Sequence, residues 1–245
     1  LPASSAASDV YKRQTPRFAL VFGAFIAVAG SSLFLLLSVK AAFWSAFSVL
    51  FYVLVYTVWL KRRTPQNIVI GGAAGATPPL IGWAAAAGDS IANANMFDLG
   101  SPVPWMLFFL IFLWTPPHFW ALALYRSGEY GKVNIPMLNE VKGADHTLLQ
   151  SKVYCVLLLM LGSVPCFWPE SGVPLLWAFV SGGLTLWYAF SVWVIDPREP
   201  LDENGRMPKA AKSFYRSLHY LGWMFLSFVA IAFIPAHRLG FFGPL

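Results

Sequence analysis

The sequence predicts an all-α, polytopic bundle of membrane-spanning helices, and three observations support that prediction. The 245 residues are 58% hydrophobic and only 11% charged, whereas soluble domains carry about 25% charged residues. Long apolar runs recur along the chain, and most reach the ~20 residues needed to cross about 30 Å of hydrocarbon. The cations stand in short segments between these runs. Because a helix satisfies its own backbone hydrogen bonds in lipid, each apolar run is predicted to be a helix.

The first segment, residues 1–14, does not fit this pattern. It lacks the long apolar core of a signal peptide and carries no transmembrane pattern. It resembles translated adapter sequence, so we treat it as a non-native leader and residues 15–245 as one transmembrane domain. The predicted spans, seven in number, are 18–38, 42–60, 67–87, 103–125, 153–168, 173–195 and 218–235.

The third span, NIVIGGAAGATPPLIGWAAAAG, is rich in glycine and alanine and contains Pro78-Pro79 near its middle. Small residues permit close helix packing. A proline pair interrupts the backbone hydrogen bonds and kinks a helix. Two interpretations stay open, a tightly packed central helix and a break that lets a bulky ligand approach.

The distribution of charge predicts the orientation. The segments before span one and after spans two, four and six hold 15 of the 17 lysines and arginines, and the other side holds only Lys40 and Arg238. This asymmetry predicts that the loops after spans two, four and six are cytoplasmic, or matrix-facing in a mitochondrion. The net charge of +6 therefore reflects membrane topology, and no nucleic-acid partner is expected.

The segment Trp114 to Leu138, WTPPHFWALALYRSGEYGKVNIPML, holds the first group of candidate site residues. His118 and Tyr125 are seven residues apart and share one helix face. The histidine is either a hydrogen-bonded packing residue or a polar contact or proton acceptor beside a ligand. Glu129 follows, flanked by Arg126 and Lys132. It is either a solvated ion pair or a ligand of Mg²⁺, which binds carboxylates together with phosphate oxygens.

Two further basic segments are candidates for anion binding. Lys61, Arg62 and Arg63 lead into the helix that begins near Asn67, and a cationic loop before a helix amino terminus favours an anion. The alternative is an ordinary positive-inside cluster. The last cytoplasmic loop becomes helical near Pro208, and it is either an interfacial helix attracted to anionic lipid or part of a phosphate-facing surface. Its basic side chains on one face are Lys209, Lys212, Arg216 and His219.

Two blocks of sequence resemble the heme O synthase (protoheme IX farnesyltransferase) branch of the UbiA prenyltransferase superfamily. They are YTVWLKRRTPQNIVIGGAAGATPPLIGW and the Trp114 to Leu138 segment with its continuation to Lys142. The resemblance implies nine transmembrane helices around a cavity that opens to the cytoplasm. It also implies transfer of farnesyl from farnesyl diphosphate to a vinyl group of heme B. Mg²⁺ then neutralises the diphosphate, and aromatic faces stabilise an allylic cation.

The resemblance also assigns roles to individual residues. Those expected to act in catalysis are His118, Tyr125 and Glu129, and Glu129 is also the expected Mg²⁺ ligand. Those expected to bind diphosphate and heme are Lys61, Arg62, Thr64, Asn67, Arg126, Tyr130 and Lys142.

This chain departs from the family pattern in two ways. Glu129 stands where the family usually has aspartate. The first acidic motif, of the NxxxDxxxD type, is absent, and seven spans are present where nine are expected. We therefore expect a fragment that begins just after that motif and has weak or no activity.

The resemblance suggests a location and further partners. We expect the bacterial inner membrane, with the mitochondrial inner membrane as the alternative, and heme A synthase or the terminal oxidase assembly as further partners. Three rival functions stay open: a UbiA-type enzyme acting on a quinone precursor, a small-solute transporter and a heme-binding membrane subunit. The paired PPLIGW and TPPHFW blocks argue against the first, and no inverted repeat supports the second.

Overall fold

The computed structural model describes residues 15–88, 95–127, 135–168, 171, 173–203 and 206–234. Within these residues the chain is helical and contains no strand, which confirms the all-α prediction. The segment 1–14, predicted to be a leader, lies outside the described residues. The helices are α1 (Pro16–Leu33), α2 (Val39–Leu50), α3 (Asn67–Gly75), α4 (Pro78–Ala87), α5 (Val103–Tyr125), α6 (Leu138–Lys142), α7 (Ala144–Gly162), α8 (Val164–Phe167), α9 (Leu175–Trp193) and α10 (Pro208–Ala232).

Five helical segments of the described chain are long and apolar enough to cross a membrane, which agrees with a polytopic bundle. They are Pro16–Leu36, Val39–Leu60, Asn67–Ala87, Val103–Tyr125 and Leu175–Trp193. The other two predicted spans, 153–168 and 218–235, are also largely helical. Their helices differ from the prediction because α7 begins earlier and gives way to the short α8, and α10 begins with a polar, basic stretch.

The second span changes its helical geometry along its length. After α2 the chain continues as a π-helix over Phe51–Leu60, and it ends where the Lys61 N–H donates to the Tyr56 carbonyl five residues earlier at 2.8 Å. The wider turn places the Tyr56 ring against Gly71 of α3. Sequence periodicity did not predict this geometry.

The third span contains the break expected at its proline pair. Helix α3 ends at Gly75 and α4 begins at Pro78, and the Thr77 hydroxyl donates to the Ala74 carbonyl at 2.8 Å. Proline suits the first turn of a helix, where its missing N–H costs no hydrogen bond. The span also packs tightly, because Gly71 and Gly72 bring α3 close to Tyr56 and to Thr115 of α5.

Helix α5 is the centre of the bundle, because it packs against α3, α4, α7 and α10. Pro116 and Pro117 lie inside it without ending it. Helix α9 packs against α7 and α10. The main core lies where these helices meet, and its fully buried aromatic side chains include Trp177, Tyr188 and Tyr220. Many large apolar side chains, among them Phe18, Leu20 and Phe179, are exposed on the outer surface, which suits a lipid environment.

Candidate functional site

Apart from His118, which lies deeper in the bundle, the candidate residues that the structure describes lie at one end of it, which we call the basic end. It consists of the turn 61–67 before α3, the carboxyl end of α5, helix α6 and the loop 196–207 before α10. Glu129 and Tyr130 lie outside the described residues. The opposite end, which we call the aromatic end, carries Trp44, Trp83, Trp105 and the loop 95–102.

Asn67 connects two segments of the basic end. Its side chain is fully buried, and its Nδ2 donates to the Thr64 carbonyl at 2.7 Å and to the Pro136 carbonyl at 3.1 Å. These bonds join the basic turn to the chain that follows α5. The buried Oδ1 has no hydrogen-bond partner among the described residues. A buried oxygen without a hydrogen bond lowers the stability of the fold unless a ligand or a water molecule donates a hydrogen bond to it.

The basic turn itself places its cations towards solvent. Lys61 is half-buried and its Nζ lies 5.9 Å from the centre of the Tyr56 ring, while Arg62 is exposed. The Thr64 hydroxyl accepts from the Gln66 N–H at 3.2 Å just before α3 begins. Cations beside a helix amino terminus form a surface that attracts anions.

His118 lies in an aromatic enclosure inside the bundle. It is 7% exposed, and its ring stacks against Trp114 at a centroid distance of 4.3 Å and against Phe214 of α10 at 4.7 Å. Phe119 meets it edge-on at 5.2 Å. Three aromatic rings therefore surround the imidazole and fix its orientation.

A hydrogen bond to α10 determines which ring nitrogen of His118 carries the proton. Ser217 Oγ donates to the Phe214 carbonyl at 2.6 Å, and a hydroxyl has only one hydrogen to donate. At 2.6 Å from His118 Nδ1, the same hydroxyl therefore accepts. In the neutral imidazole Nδ1 is then protonated and Nε2 is the free acceptor. Trp114 Nε1 donates to the Ser217 carbonyl at 2.9 Å and strengthens this connection.

Tyr125, one predicted catalytic residue, is held by a partner that the sequence did not indicate. Arg206 Nη1 donates to Tyr125 Oη at 3.1 Å, and the guanidinium carbon lies 5.2 Å from the centre of the ring. Arg206 belongs to the loop before α10, 81 residues further along the chain. Periodicity within helices gives no signal for such a distant pair.

The remaining predicted residues are exposed. Arg126 caps the end of α5, and its backbone N–H donates to the Leu122 carbonyl at 2.9 Å. Lys142 is the last residue of α6. That helix is fixed to α5 because Asn139 Nδ2 donates to the Ala123 carbonyl at 3.2 Å. Both cations therefore border the basic end on the same side as the turn 61–67.

The described residues do not supply a complete metal site. No group of three or more His, Cys, Asp or Glu side chains close enough to hold a metal ion occurs among them. The predicted ligand Glu129 lies outside the described part of the chain.

A model of the UbiA prenyltransferase family matches residues 10–229, about nine-tenths of the chain. Its match begins inside the segment 1–14. No solved structure matches the chain significantly.

Proteins named protoheme IX farnesyltransferase are similar over most of the chain. The relative from Parvibaculum lavamentivorans is 45% identical over 216 residues, which cover 87% of this chain and 63% of the relative. The relative from Gluconacetobacter diazotrophicus is 42% identical over 88% of this chain and 66% of its own length. The relative from Bartonella bacilliformis is 39% identical over 84% of this chain and 62% of its own length. The chain thus spans less than two thirds of each of these relatives.

Proposed function

The chain belongs to the UbiA prenyltransferase family, and from that premise we propose that it transfers farnesyl from farnesyl diphosphate to a vinyl group of heme B. The products are heme O and diphosphate. The names of the similar proteins support the choice of heme and farnesyl as substrates. The observation that carries the proposal is that the helix after the basic turn, α3, packs directly against α5 at Gly72 and Thr115, and α5 holds a buried, oriented histidine.

The chemistry explains why both features are needed. The allylic C–O bond breaks and its electron pair leaves with diphosphate, so cations near the leaving group lower the barrier. We assign Lys61, Arg62, Arg126 and Lys142 to this role, with Thr64 and Asn67 supporting the basic turn. Among these, Asn67 acts as a positioning residue, because it joins the turn to the chain after α5.

The second half of the reaction requires a proton acceptor. When the vinyl carbon attacks the allylic cation, positive charge passes to the carbon next to the heme ring. Addition of water to that carbon supplies the hydroxyl of heme O and releases one proton. We assign the acceptor role to His118, whose Nε2 is unprotonated when Nδ1 donates to Ser217. Its aromatic neighbours Trp114 and Phe214 offer faces that stabilise a nearby cation.

Glu129 is the proposed contact for Mg²⁺, which would neutralise diphosphate charge when bound. Tyr130, its neighbour, is a proposed diphosphate or heme contact, and Tyr125 supports the site through Arg206. The sequence pattern is the support for the first two assignments. We further propose that the protein lies in a bacterial inner membrane with the basic end in the cytoplasm. Heme A synthase or oxidase assembly would then take up the product.

The test is a chromatogram of heme extracted from cells that lack their own heme O synthase. The cells express this chain as it stands, or a chimera that adds the parts of the Parvibaculum relative outside the match. We expect a farnesylated heme peak from the chimera. That peak should disappear in Glu129→Ala and persist in the matched control Glu203→Ala, an exposed carboxylate of the loop before α10.

Each outcome of this experiment decides one part of the proposal. If the farnesylated heme peak persists in Glu129→Ala, the proposed reaction stands, but Glu129 is then a surface ion-pair residue and not a Mg²⁺ ligand. Well-expressed protein with no farnesylated heme would contradict the assignment of heme as acceptor. In that case a quinone precursor supplied to the same membranes tests the other acceptor class.

A further inference from the structure

A groove on the outside of the bundle has no role in the proposed reaction. It lies between α9 and α10 and has a volume of about 340 Å³. The lining residues are Trp187, Lys212, Arg216, His219 and Trp223. Ser217 and Tyr220, on the opposite face of α10, are buried towards α5 and α9. The groove and the His118 enclosure therefore lie on opposite sides of one helix.

The groove contains two cations without a carboxylate partner in the described chain. The ion pair that the structure records near the start of α10 joins Lys209 Nζ to Glu199 at 3.4 Å, one turn before the groove. The guanidinium carbon of Arg216 lies 5.2 Å from the centre of the Trp187 ring. Lys212 is exposed one helical turn earlier on the same stripe. This stripe thus carries two positive charges that no described acidic side chain neutralises.

His219 adds a polar group at the same level. Its Nδ1 is bonded to the Tyr215 carbonyl at 2.9 Å, so this nitrogen donates and Nε2 is directed elsewhere. The ring is exposed and lies one turn beyond Arg216. It adds a polar ring nitrogen to the lining of the groove.

The position of the groove along α10 indicates its surroundings. The helix starts at Pro208 next to the polar loop 196–207, and beyond His219 its exposed side chains are apolar. Trp223 is 55% exposed about 10 Å further along the axis than Arg216. Tryptophan is enriched at the interface between lipid and water. The cations therefore lie at the level where headgroups meet hydrocarbon.

We propose that this groove binds the phosphate group of an anionic phospholipid such as phosphatidylglycerol. Lys212 and Arg216 contact the phosphate, and Trp187 and Trp223 flank the glycerol and the first part of the acyl chains. Free phosphate is the poorer match, because the groove continues onto exposed apolar side chains of both helices. The exposed side chains beside it include Leu186, Phe190 and Leu226.

The experiment is a lipid titration of the purified, delipidated chain in detergent, followed by native mass spectrometry. The probes are phosphatidylglycerol, phosphatidylcholine and inorganic phosphate. We expect the chain to bind phosphatidylglycerol more tightly than phosphatidylcholine. The variant Lys212→Gln/Arg216→Gln should bind phosphatidylglycerol about 30-fold more weakly, because each basic side chain near a membrane surface contributes roughly a fivefold factor.

The matched control is Lys152→Gln. Lys152 lies on α7 with its Nζ 5.8 Å from the centre of the Trp193 ring, so it repeats the cation–aromatic pair at another position on α9. We expect its affinity for phosphatidylglycerol to match that of the unmodified chain. The single variants Lys212→Gln and Arg216→Gln, each about fivefold weaker, keep the test decisive if the double variant does not fold.

Three results would overturn the proposal. The first is equal affinity for phosphatidylglycerol and phosphatidylcholine. The second is an equal loss in Lys152→Gln and in the double variant. The third is displacement of phosphatidylglycerol by excess inorganic phosphate, which would show a phosphate site without lipid specificity.

Discussion

The two ends of the bundle are held together in different ways. At the aromatic end, four consecutive backbone carbonyls of the loop 95–102 each accept a hydrogen bond from a different side chain, and each of these side chains belongs to a helix. These bonds are Trp44 Nε1 to Met96 O at 3.0 Å, Trp105 Nε1 to Phe97 O at 3.1 Å, Lys40 Nζ to Asp98 O at 2.5 Å and Trp83 Nε1 to Leu99 O at 3.1 Å. The donors come from α2, α4 and α5, so the loop joins three helices.

The basic end carries more exposed charge among the residues that the structure describes. Asn67 and Arg206 each join distant segments, but Arg62 and Lys142 are exposed. A cation whose counter-charge comes from a ligand has to stay accessible in the free protein. We therefore expect mutations at the aromatic end to change stability and mutations at the basic end to change activity.

The largest expected effect is at His118, in the half of α5 that leads to the basic end. In the heme assay above, His118→Gln should lower product formation by about 10² to 10⁴-fold, because that range is typical for loss of a proton-transfer group. The amide of glutamine can still donate to Ser217, so the unfolding temperature should change little.

The matched control for this change is His146→Gln. His146 lies near the start of α7 at the same end and is exposed. We expect unchanged product formation. A loss below tenfold in His118→Gln would show that the imidazole packs α5 against α10 and does not accept a proton.

At the aromatic end the expected effect is on stability. Trp44 is 3% exposed and meets Phe97 and Trp105 edge-on at 5.3 and 5.4 Å. Trp44→Ala should lower the free energy of unfolding by about 3–5 kcal/mol, measured by denaturant titration in mixed micelles. Product formed per folded molecule should stay the same.

Trp59→Ala provides the control for this prediction. Trp59 lies on the π-helix that continues α2 and is 56% exposed, so its removal should cost far less. If the two variants unfold within 1 kcal/mol of each other, about the value of one hydrogen bond, the aromatic end is not the rigid part of the bundle.

The sequence predicted the features that depend on local pattern. Apolar runs located α5 and α9, and the proline pair located the break between α3 and α4. The basic, amphipathic start of α10 was also expected near Pro208. These features follow from the composition and spacing of neighbouring residues, which a single chain displays directly.

The contacts that define the site were not predictable in this way. Asn67 was expected at the site, but its bond to Pro136 joins residues 69 positions apart. Ser217 and Arg206 were not indicated at all, although Ser217 contacts His118 across 99 positions. Such pairs depend on how the helices pack. Helical periodicity predicts which face of a helix is buried, but it does not predict which residue of another helix that face contacts.

The next prediction tests the link between the π-helix and the basic turn. An added Cβ at Gly71 would lie 2.8 Å from Tyr56 Cε2 and closer still to Tyr56 Cδ2. Gly71→Ala should therefore destabilise the protein by about 1–3 kcal/mol through overpacking. It should also raise the KM for farnesyl diphosphate, because Lys61 lies over the displaced ring.

Gly75→Ala is the control on the same helix, since nothing lies within 4 Å of an added Cβ there. Alanine is favoured over glycine in helices by up to about 1 kcal/mol, so this variant should be as stable as the parent or more so. If both glycines tolerate alanine equally, the close approach of Tyr56 does not fix the turn.

The smallest expected effect concerns the serine that orients His118. Ser217→Ala removes the acceptor for Nδ1–H and should lower product formation about five- to tenfold, equivalent to roughly 1 kcal/mol. Ser213→Ala, one turn earlier on α10, removes a buried bond to Ser191 of 3.1 Å without touching the histidine. Both variants should lose similar stability, but only Ser217→Ala should lose activity, and Ser217→Thr should restore it. Equal activity in the two alanine variants would mean that the aromatic rings alone orient the imidazole. The bond to Ser217 would then contribute to stability and not to activity.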